Sequence, residues 1–401
     1  MRDKALAMLA LTVLLASSAW ASSETVLYNF NGGTGDGYYP YAGLIADKAG
    51  NFYGTTYQGG ASGYGTVFEL KLSGGVWTET VLHSFTAGTT DGAYPKAPLA
   101  FDTAGNLYGT TYQGGTGNVG TVFELKASKG KWTESIIHSF AGYPNDGSYP
   151  SAAVVFDSKG NLYGTTLYGG TNNAGSVFQM KPSKGKWSEE ATIISFGSTN
   201  GAYVYSPLLV GKNGYFYGTT YQGGANGYGT VYRIYPTRVG WVEQVIFSFS
   251  QFNSGTYSYA GLAMDAAGDL YGTTYYGGAD NLGTVFRLKE AKNKTWSQTV
   301  LHSFTGADKD GQYPYTGGLA IDASGNLYGT TYQGGTGNYG TVFELKNTKG
   351  KFKESILYSF TAGSSDGYYP YGGVTLVKGD LVGTTVNGGA HGGGIAFEIK
   401  P

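Results

Sequence analysis

Apolar and polar positions alternate in short runs, and glycine interrupts them at regular intervals. Thr121 to Lys126 is representative: Val122, Glu124 and Lys126 alternate with Phe123 and Leu125. A period of two predicts a β-strand. Leu107 to Tyr112 is a second strand, favoured by β-branched Thr110 and Thr111. Before it, Ala97 to Phe101 is a short apolar run, and Asp102 to Asn106 reads as a tight turn in which Gly105 is free to take a positive φ. After it come a glycine-rich loop (Gln113 to Gly120), the strand at 121–126, a lysine-bearing turn (Ala127 to Lys131) and a fourth strand from Trp132 to Phe140. We call the four strands a, b, c and d. No long stretch carries a 3.6-residue apolar period, which excludes a helical protein.

This unit recurs. Tyr-Gly-Thr-Thr begins at Tyr53, Tyr108, Tyr163, Tyr217, Tyr271 and Tyr328, with a degenerate copy at Val382-Gly383-Thr384-Thr385. The spacing of about 55 residues suits four short strands with their turns and sits just above familiar propeller blades. Fourth strands begin at Trp77, Trp132, Trp187, Trp241, Trp296 and Phe352. The seventh stands at the front: Glu24 to Phe30 matches Glu79 to Phe85, while the last repeat stops after strand c, at Ile395 to Lys400. An open array would leave two unpaired edges. A ring joins them, so the expected fold is an all-β, seven-bladed β-propeller over residues 22–401, closed by the N-terminal strand in the last blade. The five repeated tryptophans are expected to pack between strand d and its neighbours.

Residues 1–21 read as a secretory signal peptide. Arg2 and Lys4 precede an apolar run, Ala5 to Ala16, and an Ala19-Trp20-Ala21 cleavage site. The run is too short to span a bilayer comfortably. A secreted, periplasmic or cell-surface protein is expected, monomeric and not membrane-spanning after cleavage. Composition narrows the chemistry further. Glycine (69) and tyrosine (36) supply about a quarter of the chain, and charged residues only 13%. A formal net charge of −1 offers no basic excess for nucleic acid. Absence of cysteine excludes disulfides, thiolate metal sites and a cysteine nucleophile.

The run Gly-Asn-Leu-Tyr-Gly-Thr-Thr, a Gly-Gly pair, then Gly-Thr-Val-Phe-Glu-Leu stands whole at Gly105 to Leu125 and Gly325 to Leu345. Gly160 to Met180 keeps it with Ser176 and Gln179 substituted. This pattern resembles the GloVer (Gloeo/Verruco) tandem repeat of exported bacterial proteins, a kelch-like propeller repeat, along the entire mature chain. The resemblance implies an exported repeat protein, often tethered by a separate C-terminal signal; here no hydrophobic tail follows the last strand. It implies no reaction, substrate or site residues.

In a propeller the b–c loops and d–a connections share one face, where the long loops lie, and long loops on a rigid scaffold commonly carry binding. The b–c loops open with Tyr57-Gln58, Tyr112-Gln113, Tyr221-Gln222 and Tyr332-Gln333. The d–a connections carry Asp-Gly pairs, among them Asp91-Gly92 and Asp310-Gly311, and two residues after each such glycine comes a tyrosine, as at Tyr94 and Tyr313. Aromatic faces with amide and carboxylate neighbours suit sugar rings. The candidate ligand residues are therefore Tyr57, Gln58, Tyr112, Gln113, Tyr221, Gln222, Tyr332, Gln333, Asp91, Asp310, Tyr94 and Tyr313. Against this, Asp-Gly is a common turn dipeptide, and a residue repeated in every blade can serve the blade alone.

Catalytic constellations are weak. His83, His138 and His302 share one place on strand d, and His391 lies alone in the last b–c loop. No metal, cofactor or catalytic centre is expected. The expected function is recognition of polysaccharide or cell-envelope glycan. A structural or protein-interaction propeller and a glycan-active enzyme are the alternatives. Strand c carries Glu69, Glu124, Glu344 and Glu398 but Gln179, Arg233 and Arg287 elsewhere; altered salt bridging at blade edges is the expected reason, and a docking patch on one side of the ring the alternative.

Overall fold

A computed structural model describes residues 23–401 except 184, 189–190, 252–253 and 308–309. The expected signal peptide lies outside the described residues. Seven four-stranded antiparallel sheets follow one another along the chain, each ordered a–b–c–d. In the second blade these are Ala100–Phe101, Leu107–Thr111, Thr121–Ser128 and Lys131–Ser139. The last sheet takes a, b and c from Val374–Val377, Asp380–Thr385 and Ile395–Ile399, and its outer strand from Glu24–Asn29. The register runs from Glu24 opposite Ile399 to Asn29 opposite Ile395. Seven apolar clusters lie one at each junction between successive blades. Leu27 and Phe30 share theirs with Leu44, Phe52 and Phe68 of the first blade.

Strand a is shorter than its apolar run. Only two residues pair with strand b in six of the blades. Proline and glycine precede it, as at Pro98, Pro207 and Gly261, and backbones from different blades touch there. A Cβ on Gly317 would stand 2.2 Å from Gly373 N. That crowding admits no side chain and no regular ladder.

Each letter of the repeated tetrapeptide has a physical task. The tyrosine hydroxyl of Tyr53 donates to Glu69 Oε1 on strand c (2.8 Å). The next glycine lies under a phenylalanine: a Cβ on Gly109 would be 2.4 Å from Phe123 Cζ. The first threonine ties blade to blade, with Thr55 donating to Ala97 O (3.1 Å), Thr110 to Ala152 O (3.2 Å) and Thr384 to Ala42 O (2.8 Å). The second holds its own b–c loop, with Thr111 Oγ1 donating to Gln113 O (2.8 Å). Replacing a buried donor leaves its carbonyl unsatisfied, which costs about 1–3 kcal/mol. Thr110→Val is therefore expected to lower the midpoint of thermal unfolding by a few degrees. An unchanged midpoint would mean that this bond does not hold the blades together.

The repeated tryptophans pack on the preceding blade. Trp132 stands 6.3 Å from the Tyr53 ring, Trp187 5.7 Å from Tyr108 and Trp241 5.6 Å from Tyr163. The variation on strand c is local as well. Glu124 accepts from Tyr108, Gln179 donates to the Tyr163 hydroxyl (2.6 Å), and Arg233 pairs with Glu290 (3.2 Å). These are partners of the tetrapeptide tyrosine or of the next blade, so Arg233 has an explanation inside the ring, whereas Arg287 Nε is buried without a hydrogen-bond partner.

Candidate functional site

On the face that carries the b–c loops, each d–a connection folds against the loop of the blade it leads into. Gly37–Tyr38 pairs with Gln58–Gly59, Gly92–Ala93 with Gln113–Gly114, and Gly311–Gln312 with Gln333–Gly334. In blades four and five a single bridge replaces the ribbon. Glycine is required where the chains meet: a Cβ on Gly92 would stand 2.3 Å from Thr111 Cγ2. The tyrosine that follows is left-handed in all seven copies, with φ between 55° and 61°. Such a residue costs about 1 kcal/mol or more, and the surrounding bonds hold it. Tyr94 N–H donates to Tyr64 O (2.8 Å), and Tyr94 O accepts from Tyr112 N–H (3.2 Å).

That kink brings the residue two positions later to the axis. The seven positions are Tyr41, Lys96, Ser151, Tyr205, Tyr259, Tyr315 and Tyr371. Five tyrosine rings form a continuous arc. Tyr205 to Tyr259 is 4.9 Å between centroids, Tyr259 to Tyr315 4.5 Å and stacked, Tyr315 to Tyr371 4.6 Å, and Tyr371 to Tyr41 5.0 Å. Lys96 and Ser151 occupy the gap in the arc. Tyr57 and Tyr112 complete the wall of a cavity of about 330 Å³, together with Leu167 and Thr316. Burial holds the hydroxyls of Tyr41, Tyr57, Tyr112 and Tyr315 above the usual phenol range. These hydroxyls are neutral donors and acceptors at physiological pH. The Lys96 ammonium lies 3.7 Å over the Tyr112 ring and 5.2 Å from that of Tyr57, and burial pulls its pKa down.

The tyrosines singled out in the sequence divide into three groups. Tyr57 and Tyr112 line the axial cavity. Tyr221 and Tyr332 do not line it but pack against the arc, at Tyr259 (4.7 Å) and Tyr371 (5.1 Å). Tyr94 and Tyr313 stack behind them, Tyr94 against Tyr57 (4.9 Å) and Tyr313 against Tyr275 (5.0 Å). Gln58, Gln113, Gln222 and Gln333 are half-buried. Gln58 lines a shallow rim cavity with Tyr38 and His391, away from its neighbour Tyr57. A strand sends successive side chains to opposite sides, so a Tyr-Gln pair does not act as one unit.

Asp91 and Asp310 require correction as ligand residues. Asp91 is 6% exposed and Asp310 7%. Asp91 accepts from Thr86 N–H (2.8 Å), Thr86 Oγ1 (2.9 Å) and Gly92 N–H (2.7 Å), and lies 3.2 Å from His83 Nε2. Asp310 is bound the same way by Thr305, Gly311 and His302. These bonds hold both carboxylates below the usual aspartate range against the opposing effect of burial. Both aspartates brace the junction between strand d and the next blade. Glu134 completes one such cluster and Glu354 the other, with donor atoms within 4.8 Å of one another. Three donors could in principle face a cation, but the aspartates are already saturated with N–H and O–H donors. Burial also pushes Glu134 and Glu354 up to about 7, which favours their protonated form.

A larger cavity of about 650 Å³ opens on the opposite face between blades two and three. Its Glu124 is engaged by Tyr108 and by Lys126 (2.9 Å). It is a gap between two blades, whereas the axial cavity gathers side chains from six of the seven. The axial ring was missed in the sequence. The available signal was the recurring Tyr-Pro-Tyr at 39–41, 313–315 and 369–371.

The Gloeobacter/Verrucomicrobia repeat family matches residues 16–232, 133–318 and 205–401. A search of curated proteins found no match. Among solved structures, a candidate 6-phosphogluconolactonase from Bacteroides uniformis is 13% identical, with 85% of this chain and 88% of that one covered and a TM-score of 0.55. The extracellular domain of a candidate hybrid two-component system from B. thetaiotaomicron is 12% identical, with 95% of this chain and 42% of that one covered and a TM-score of 0.57. At these identities the likeness is one of fold.

Proposed function

This chain belongs to the Gloeobacter/Verrucomicrobia repeat family, and for it we propose a glycan-binding role in the cell envelope or outside the cell, exercised through the tyrosine-lined axial face. The observation that carries the reading is the arc of five contacting tyrosines, four of which (Tyr41, Tyr205, Tyr315 and Tyr371) line the axial cavity. Tyrosine supplies an apolar face for the face of a sugar ring and a hydroxyl for its edge. Their mutual stacking fixes the rings before a ligand arrives, which reduces the ordering cost of binding. Half-buried Gln58, Gln113, Gln222 and Gln333 make no side-chain hydrogen bond to another described residue, and Gln58 lines a shallow cavity at the rim. Hydrolysis of a glycosidic bond calls for two facing carboxyl groups, and no carboxylate is among the residues lining the axial cavity. That favours binding over turnover. Among the described residues no helix is long and apolar enough to cross a membrane.

A glycan array tests the reading with the protein lacking residues 1–21, against a variant carrying Tyr112→Ala and Tyr332→Ala. Binding to a polysaccharide class, weakened at least about tenfold in the variant, is expected, since each lost aromatic contact is worth about 1 kcal/mol. No binding on the array, together with recovery of a single protein partner from the envelope, would replace it with the protein-interaction reading.

A further inference from the structure

Resting on the proposed glycan-binding role, we infer that the axial cavity takes a negatively charged sugar and that Lys96 holds its acidic group. Seven equivalent positions face the axis; five are tyrosine, one is serine and one is lysine. Lys96 is thus, among the described residues, the single charged side chain in the cavity wall. It is half-buried, and among the described residues no carboxylate lies within ion-pair distance of it. Its partners in place are aromatic faces, Tyr112 at 3.7 Å and Tyr57 at 5.2 Å.

An ammonium has three donors, and a ring face above one side leaves donors directed elsewhere. Taking a charge out of water without a counter-charge is unfavourable, and an anion entering the cavity removes that penalty. Charge-assisted hydrogen bonds are about twice as strong as neutral ones, so the anionic group is the ligand's anchor. Ser151, the neighbouring axial position, and the hydroxyls of Tyr41 and Tyr205 lie on the same wall and can donate to the remaining acceptors. A cavity of about 330 Å³ stands at the small end of ligand sites. It suits a terminal or single residue of a polymer, with further residues crossing the rim. The shared chemistry is a singly charged acidic sugar, whose charge is carried by a uronate carboxylate or by a sulfate ester.

Calorimetric titration of the chain lacking residues 1–21 with three oligosaccharides tests this: an oligogalacturonate, its uncharged methyl ester and a sulfated galactan oligomer. Parallel titrations use Lys96→Gln and Lys96→Arg, with thermal unfolding to verify that both fold. The expected result is binding of the free acid or the sulfate at least about tenfold tighter than the methyl ester, in wild type and Lys96→Arg, with the preference abolished in Lys96→Gln. Which of the two acids binds tighter identifies the anionic group. Equal binding of acid and methyl ester, unaffected by Lys96→Gln, overturns the inference and leaves glycan binding standing. No binding to any of the three, with a blank glycan array, overturns both.

Discussion

A variant lacking residues 24–30 is expected to lose at least about 10 °C of thermal stability and to associate through an exposed edge. The segment forms the outer strand of the last blade, and its removal frees the outer edge of Ile395–Ile399 along the full register. Phe30 is fully buried and Leu27 nearly so. Phe30 meets Phe68 edge to face at 5.0 Å, which makes it part of the junction with the first blade. Burial of these two side chains contributes about 1.5–3 kcal/mol each, and the ladder hydrogen bonds about 1 kcal/mol apiece. The sum approaches the whole stability of an ordinary domain, about 5–15 kcal/mol. The free edge that remains is apolar, buried in the parent and able to pair with another copy. Scanning calorimetry and sedimentation velocity read both effects. A variant as heat-resistant and as monodisperse as the parent would show that the first strand is not needed to complete the ring.

Stability is also expected to fall as pH rises from 5 to 8, the reverse of the usual carboxylate behaviour. The cause is a set of glutamates at the blade junctions. Burial, reinforced by neighbouring Asp36, pushes Glu79 up to about 8. Burial, with Asp366 alongside, pushes Glu24 up to about 7. Glu134 faces Asp91 and His83, Glu354 faces Asp310 and His302, and burial brings both to about 7. Each of the four leaves a buried Oε1 without a donor, as do Asp36 and Asp366 at Oδ1. A proton on the glutamate supplies that donor. In the unfolded chain the same groups ionise near 4.5, so between about 4.5 and 8 the folded state holds more protons, and stability decreases with pH. Their contribution is complete below about 4.5 and is lost as pH rises through 7 to 8. Asp91, Asp146 and Asp310 act oppositely: their depressed pKa values stabilise above about 4, and that stabilisation is lost in stronger acid. The optimum therefore lies between about pH 4 and 6. A tenfold change in proton affinity is about 1.4 kcal/mol. Because the glutamates retain contact with water, about 1 kcal/mol each is the appropriate scale. Four such groups lower the unfolding midpoint by roughly 8 °C between pH 5 and 8. Glu79→Gln is expected to flatten the profile. A midpoint that is level or rises over this interval would contradict the assignment.

The fold was legible because each strand, turn and tetrapeptide repeats, and because the displaced fourth strand at 24–30 is intelligible only beside 395–399. Asp91 and Asp310 were misread for a related reason. An Asp-Gly pair announces a turn, but sequence does not reveal that His83 and Thr86, or His302 and Thr305, close over the carboxylate. Pairing Tyr with Gln at 57–58 and 112–113 likewise treated neighbours as co-facing, although an extended backbone separates them. The axial ring was concealed by its variation: Lys96 and Ser151 interrupt the tyrosines, so the position does not read as a repeat. Only closure of the ring brings Tyr41 next to Tyr371, which are 330 residues apart in sequence.

Ligand is expected at the axis, inside the tyrosine arc. A crystal structure of the chain lacking residues 1–21, soaked with an oligosaccharide selected on the array, tests it most directly. The expected result is a sugar ring in contact with Tyr112 and Tyr315, with its acidic group within hydrogen-bond distance of Lys96 Nζ. A sugar bound between blades two and three on the opposite face, with the axial cavity occupied by water alone, would contradict it.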